Sequence, residues 1–118
     1  MKLKTVNQLR KEIEQILNDN KAIDVRTIDL RGKSTVADYM IVASGTSSKH
    51  LQALSEIILE RLKKEGIFNC HLEGKESNEW KLIDGIDIIV HIFNPKKRNF
   101  YDLEKMWSEL LPKERLTI

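Results

Sequence analysis

The chain has 118 residues, of which 41% are hydrophobic and 32% charged, as expected for one well-solvated globular domain rather than a disordered chain or an array of repeats. Its 20 basic and 18 acidic residues leave a formal net charge of only +2. Proteins that depend mainly on phosphate contacts carry a larger basic excess, so we do not expect direct, non-specific nucleic-acid binding to dominate.

The chain begins with a predicted helix and a predicted strand. Apolar residues recur at helical spacing over residues 6–17, and Thr5 and Gln8 have the spacing of a capping box at the start of that helix. Residues 23–30 alternate as in a strand as far as Thr27, after which the apolar residues fall out of phase. This slip indicates a bulge or a change of the exposed face.

A buried strand and a long helix follow. The apolar segment Tyr39–Ala43 predicts a strand that is buried on both faces. The apolar stripe from Leu51 to Leu62, followed by Gly66, predicts a helix over residues 48–65. The apolar surface of this helix is wide, and two uses of it stay open: burial in the core alone, or an additional contact in a dimer.

The second half of the chain predicts three short strands and a last helix. The strands cover residues 68–73, 80–83 and 86–93, and the Asp84-Gly85 dipeptide between apolar runs is a strong hairpin signal. Residues 97–111 show helical spacing. The order αββαβββα predicts an α/β fold in which helices flank a mixed five-stranded sheet, forming one domain over residues 1–118.

The cellular compartment is indicated by features that are missing from the sequence. The single cysteine, Cys70, cannot form an internal disulfide, which fits a reducing compartment. No apolar run approaches the ~20 residues of a membrane span, and the first residues lack the apolar block of a signal peptide. We therefore expect a cytosolic protein without a membrane anchor.

The polar segment Ser44–Ser48 joins a predicted buried strand to a predicted helix. Backbone N–H groups and hydroxyls at a helix start can hold a phosphate, but the segment is neither a P-loop nor a GxGxxG motif. Serine and threonine are also ordinary helix caps. Capping is the favoured interpretation, and anion binding stays open as the alternative.

Three aspartates, Asp38, Asp84 and Asp87, raise the question of a catalytic metal site. Carboxylates hold Mg²⁺ in phosphoryl-transfer enzymes. Asp84 and Asp87 flank a predicted turn, however, where aspartate is common because it bonds to the nearby backbone. We therefore predict no catalytic and no metal-binding role for the three.

The three histidines are far apart and lack the spacing of a zinc site. His91 lies in the apolar segment 88–93, where we expect a half-buried, hydrogen-bonded ring. Nothing in the sequence has the pattern of a Ser/His/Asp or Cys/His catalytic set. The residues therefore favour a protein without catalytic activity and without a cofactor.

The aromatic residues point toward protein partners, because tryptophan and tyrosine often anchor protein interfaces. Trp80 starts a strand after a polar loop, and we expect a partly exposed anchor there. For Trp107, in the predicted last helix, packing in the core is favoured.

Taken together, several segments resemble the ribosomal silencing factor family, also called the Iojap family. The segments, in the family's order, are Asp24-Val25, Ile28-Asp29-Leu30, Ala37 to His50, Glu73-Gly74, Trp80 to Asp87, Val90 to Phe93, Arg98, Phe100-Tyr101, Leu103-Glu104 and Trp107. Each piece alone is weak, but the ordered set is specific and spans nearly the whole chain after the first helix. The loop before Trp80 departs from the family in being rich in lysine and glutamate.

The resemblance implies a small cytosolic factor that binds the large ribosomal subunit through large-subunit protein fourteen. Bound there, it would block joining of the small subunit and repress translation when nutrients are scarce. It also implies a homodimer in the free state and a nucleotidyltransferase-like core without the catalytic residues. Two alternatives stay open: an assembly factor of the large subunit, and a degenerate nucleotidyltransferase-type enzyme.

A binding surface for a basic ribosomal protein follows from the positions that match the family. An acidic and aromatic patch would complement such a partner. The candidate residues are Glu73, Trp80, Asp84, Tyr101 and Glu104. In this hypothesis Trp80 is the anchor, Tyr101 adds an amphipathic contact, and the carboxylates steer the partner.

Overall fold

The structure, a computed structural model, describes residues 5–77 and 79–95. These residues form two helices and five strands: α1 (Val6–Asp19), β1 (Ile23–Asp29), β2 (Tyr39–Ser44), α2 (Ser48–Lys64), β3 (His71–Glu73), β4 (Trp80–Asp84) and β5 (Ile88–Phe93). The predicted last helix over residues 97–111 lies outside the described residues. As far as the chain is described, the predicted order of elements is confirmed.

The five strands form one mixed sheet in the order β1-β2-β5-β4-β3. β2 and β5 pair in parallel, and the other three neighbouring pairs are antiparallel. All six residues of β2 are buried, as the continuous apolar run predicts. The predicted α/β fold with a mixed five-stranded sheet is therefore confirmed.

Both helices begin at the caps that local sequence provides. At α1 the predicted capping box is present: the Gln8 N–H donates to the Thr5 hydroxyl over 3.1 Å, and the Thr5 N–H donates to Gln8 Oε1 over 2.9 Å. α2 ends before Gly66, whose φ of +88° is readily adopted by glycine. Neither of these two described helices is long and apolar enough to cross a membrane.

The hydrophobic core is divided between the two faces of the sheet. One face, called here the helix face, packs against buried residues of both helices. These core residues are Leu9, Ile13, Leu17, Tyr39, Ile41, Ala43, Leu51, Leu54, Ile58, Leu62, Ile83, Ile88, Val90 and Ile92. The wide apolar stripe of α2 thus lies largely in this core. An ion pair of 2.9 Å between Arg61 and Glu12 also joins the two helices.

The opposite side of the sheet, called here the second face, has an apolar cluster of its own. Its buried members are Leu30, Ala37, Met40, Val42, Ile89 and Phe93, and partly buried Ile28, Trp80 and Leu82 pack against them. No residue of α1 or α2 belongs to this cluster. The apolar cluster of the second face is therefore separate from the core that the two described helices cover.

The structure corrects two predicted details, one in β1 and one in β3. The irregularity in β1 lies between Ile23 and Arg26, earlier than the slip after Thr27 predicts. The third strand was predicted over residues 68–73 but begins only at His71, and Phe68 is 76% exposed in the preceding loop. An apolar side chain is not by itself evidence of a strand, because many apolar atoms remain on protein surfaces.

The predicted Asp-Gly hairpin joins β4 to β5, but β5 begins two residues later than predicted. The Gly85 N–H donates to the Ile88 carbonyl over 2.8 Å, and the Ile86 N–H donates to Asp84 Oδ1 over 2.9 Å. Ile86 has a φ of +75°, far from the extended conformation of a regular strand residue. The turn therefore takes up Ile86 and Asp87, which were predicted as strand.

Candidate partner-binding surface around Trp80

Strand register brings three of the five candidate partner-binding residues to the second face. Glu73 lies opposite Leu82 in the β3–β4 pair, and Trp80, Leu82 and Asp84 alternate along β4. Side chains directly opposite each other in an antiparallel pair share one face of the sheet. Glu73, Trp80 and Asp84 therefore project from the same side, next to the edge formed by β3.

Trp80 is half-buried at one end of this surface, where β4 begins. Its indole Nε1–H donates to Nδ1 of His91 over 3.3 Å. Its ring centroid lies 6.4 Å from that of Phe93, with the two planes tilted by 36°. His91 and Phe93 themselves are stacked, 5.8 Å apart and within 5° of parallel. Two residues that lie on the same face of β5 thus contact the indole.

The loop before β4 also approaches Trp80 closely, at Gly74. Gly74 has a φ of +78°, and a Cβ placed on it would lie 2.6 Å from the Trp80 carbonyl oxygen. The same Cβ would lie 2.9 Å from Cε3 of the indole. Both the backbone conformation and the close approach therefore require a residue without a side chain at position 74.

The loop before Trp80 is held by a buried lysine. Lys81 is only 3% exposed, and its Nζ donates to the carbonyls of Gly74 and Lys75 over 2.9 and 2.7 Å. Ser77 Oγ accepts the Trp80 N–H over 3.1 Å. These contacts fix the loop to the strand that carries the indole.

The polar groups of the surface differ in their electrostatic state. Burial lowers the pKa of His91 from its usual 6.5 to about 4, so its ring is uncharged at neutral pH. Glu73 is exposed and Asp84 is half-buried. An uncharged aromatic group with two carboxylates on the same face is the arrangement that suits a partner with basic residues.

Sequence reasoning selected Trp80, Glu73 and Asp84 but missed two residues that support them. Gly74 and Lys81 lie in the family-matching segments, but neither was assigned a role in supporting Trp80. Alternation along β4 places Lys81 on the same side as Ile83, but only the structure shows that this side is buried. The remaining candidates, Tyr101 and Glu104, lie outside the described residues.

The polar segment Ser44–Ser48 caps α2. Ser47 is the N-cap, and its hydroxyl accepts the His50 N–H over 3.1 Å. Nδ1 of His50 accepts the Thr46 N–H over 2.9 Å, and its Nε2 contacts the Asn20 carbonyl oxygen at 2.8 Å. The N–H groups of Thr46 and His50 are therefore bonded within the chain, which supports capping over anion binding.

The three aspartates do not assemble a recognisable metal site. Asp84 accepts a bond within its own turn, as the turn interpretation predicts. The backbones of Asp38 and Asp87 are joined by an N–H to carbonyl bond of 2.8 Å. Over residues 5–77 and 79–95, no three His, Cys, Asp or Glu side chains are grouped so that they could hold a metal ion.

Comparisons with known proteins give a consistent assignment. The family model described as "Ribosomal silencing factor during starvation" matches residues 3–117. A Zymomonas mobilis protein named Ribosomal silencing factor RsfS is 41% identical over 100 residues, which cover 85% of this chain and 75% of that protein. A mouse protein named Mitochondrial assembly of ribosomal large subunit protein 1 is 29% identical over 96 residues, covering 79% of this chain and 42% of that protein.

The fold is also found in a solved structure. A crystal structure of a protein from Chromobacterium violaceum superposes with a TM-score of 0.83 at 32% identity. The match covers 89% of this chain and 88% of that chain.

Proposed function

Because this chain belongs to the ribosomal silencing factor family, we propose that it binds the large ribosomal subunit through large-subunit protein fourteen. There it blocks joining of the small subunit and so represses translation under nutrient limitation. The observation that carries the proposal is the projection of Glu73, Trp80 and Asp84 from one face of the sheet. This surface has the chemistry of a protein interface.

The contact is proposed to combine an aromatic anchor at one end of β4 with acidic groups on the same face of the sheet. Trp80 offers a large, half-buried ring that loses little conformational entropy on binding, because its neighbours already hold it. Glu73 and Asp84 add negative charge on the same face, and Tyr101 and Glu104 are proposed to extend the patch. Acidic groups at an interface mainly raise the association rate with a basic partner and exclude acidic ones.

The proposed mechanism needs no chemical step and no cofactor. A protein that occupies the surface required by the small subunit excludes that subunit sterically. The degree of exclusion depends on its concentration relative to its dissociation constant. The proposed factor therefore has no enzymatic activity. The proposal also includes a cytoplasmic location and a homodimer in the free state.

Sedimentation tests the proposal directly. Purified protein is mixed with isolated large subunits, small subunits are added, and both co-migration and the yield of coupled particles are followed. We expect co-migration with the large subunit and fewer coupled particles. Co-migration with neither subunit, or an unchanged yield of coupled particles, would refute the proposal.

A pair of substitutions locates the surface. Trp80→Ala should weaken large-subunit binding by about 2 kcal/mol or more, roughly 30-fold, as for a central interface aromatic. Phe68→Ala is the matched control, because Phe68 is an exposed aromatic residue in a loop outside the candidate patch. Equal binding by the two variants, with native circular dichroism, would exclude Trp80 as the anchor.

A role in assembly of the large subunit is the second candidate, and the name of the mouse relative favours it. An assembly factor would use the same surface on immature particles. Quantifying the protein across a gradient that separates immature from mature large subunits distinguishes the two. Enrichment on immature particles favours assembly, whereas enrichment on mature large subunits favours silencing.

A further inference from the structure

His91 is a polar residue in a strand that is otherwise apolar. The other five residues of β5 are buried hydrophobic side chains, and the ring of His91 is half-buried among them. It stacks on Phe93 and accepts the indole N–H of Trp80 at Nδ1. Within residues 5–77 and 79–95, its ring makes one hydrogen bond, and the partner is the proposed anchor.

Packing alone does not account for a histidine at this position. Burial of a polar ring has a cost in free energy that a phenylalanine of similar shape would avoid. Because burial lowers the pKa of His91 to about 4, the ring contributes no charge at neutral pH. What a histidine adds over a phenylalanine here is a hydrogen-bond acceptor aimed at Trp80.

We propose that His91 is a positioning residue for partner binding: its Nδ1 holds the indole of Trp80 in the orientation that the ribosomal partner meets. This inference rests on the proposed function and goes beyond it, since His91 need not touch the partner. With Nδ1 as the acceptor, the ring proton lies on Nε2.

The hydrogen bond acts by selecting one orientation of the indole. Gly74 allows the six-membered ring to approach its backbone closely, but van der Waals contact alone does not distinguish the two edges of an indole. The bond to His91 favours the orientation in which the N–H edge points toward β5. An anchor that is already oriented loses less entropy when it binds.

Two substitutions of His91 separate positioning from stability. His91→Phe keeps a ring that can stack on Phe93 but removes the acceptor. His91→Asn loses the ring but places an amide oxygen close to the position of Nδ1. Both variants are measured for urea unfolding and for binding to isolated large subunits.

We expect the two measurements to rank the variants in opposite order. His91→Phe should be the more stable variant yet bind about 3- to 10-fold more weakly than the unsubstituted chain, as for the loss of one hydrogen bond. His91→Asn should be less stable but bind more tightly than His91→Phe. If binding instead follows stability in both variants, His91 has only a structural role and the proposal is wrong.

A second readout follows the indole itself. In ¹⁵N-labelled protein, the indole N–H signal of Trp80, assigned with the Trp107→Phe variant, should shift and exchange faster with solvent in His91→Phe. An unchanged signal and exchange rate would refute the hydrogen bond. This measurement requires no ribosome, so it tests the hydrogen bond between His91 and Trp80 even if the proposed function fails.

A double-substitution cycle tests whether His91 acts through Trp80. In a Trp80→Ala background, His91→Phe should have no further effect on large-subunit binding. An additive loss would mean that His91 contacts the partner directly, which contradicts the proposal. If the unsubstituted chain does not bind large subunits, the proposed function fails instead, and the two failures are thereby distinguished.

Discussion

The close contact between Gly74 and Trp80 leads to a quantitative prediction. In Gly74→Ala, the new Cβ would lie 2.6 Å from the Trp80 carbonyl oxygen, so either the loop or the strand must move. The left-handed backbone costs an alanine about 1–2 kcal/mol, and the collision adds about 1–3 kcal/mol. We therefore expect the free energy of unfolding to fall by about 2–5 kcal/mol.

Gly32→Ala provides a matched control for this prediction. Gly32 has a φ of +73°, close to the +78° of Gly74, but no atom lies within 4 Å of its added Cβ. Its substitution should therefore cost only the backbone part, about 1–2 kcal/mol. The difference between the two variants isolates the contact with Trp80.

Urea unfolding followed by circular dichroism measures both losses. Large-subunit binding by the folded fractions then tests the functional consequence, because only Gly74→Ala should displace the indole and weaken binding. If the two variants lose the same stability to within about 0.5 kcal/mol, the argument from the close contact is refuted. Equal binding would show that the loop does not affect the anchor.

Three further predictions concern single side chains in β4, in β5 and in the turn between them. His91 has a pKa of about 6.5 in the unfolded chain and about 4 in the folded one, so the unfolded chain takes up its proton first as the pH falls. Acidification from pH 6.5 to pH 4 should therefore lower the contribution of His91 to the free energy of unfolding by about 3 kcal/mol. An equal loss of stability in His91→Phe would show that other groups cause it. Lys81→Met leaves the Gly74 and Lys75 carbonyls without the ammonium donor and should cost about 1–3 kcal/mol. Hydrogen exchange should then speed up in the loop, and an unchanged loop would argue against a role for the lysine. Ile86→Asn relieves an unfavourable φ of +75° and should raise the unfolding free energy by about 1 kcal/mol, whereas a loss would show that the exposed isoleucine contributes contacts.

The parts of the fold that depend on local chemistry were predictable. The capping box of Thr5 and Gln8 and the apolar spacing that follows it define α1 within a few residues. The continuous apolar run of β2 predicts burial on both faces, because a single buried face would produce alternation.

The parts that depend on strand pairing were not predictable. β3 begins where its residues can pair with β4, at His71 opposite Asp84, and the apolar character of Phe68 carries no information about that register. Ile86 was predicted as strand because it begins the apolar run after the Asp84-Gly85 dipeptide, but a tight turn imposes its backbone conformation.

The candidate surface was predictable only in part. Trp80, Glu73 and Asp84 were selected from the family resemblance, and the structure adds that they share a face. The contacts that hold Trp80 come from Gly74, in the preceding loop, and His91, in the neighbouring strand. Such contacts between elements need three-dimensional placement, and so does the burial of Lys81, because alternation along β4 does not show which face is buried.

The two edges of the sheet bear on how the chain avoids edge-to-edge aggregation. An exposed, regular edge strand is a template for pairing with other chains and for aggregation. β1 is interrupted by an irregularity at which Asp24 has a φ of +52° and pairs with Arg26, and β3 is only three residues long. Neither edge therefore offers a long, flat ladder, and we expect the chain to stay free of β-aggregates at high concentration while its second face remains available to partners through side chains.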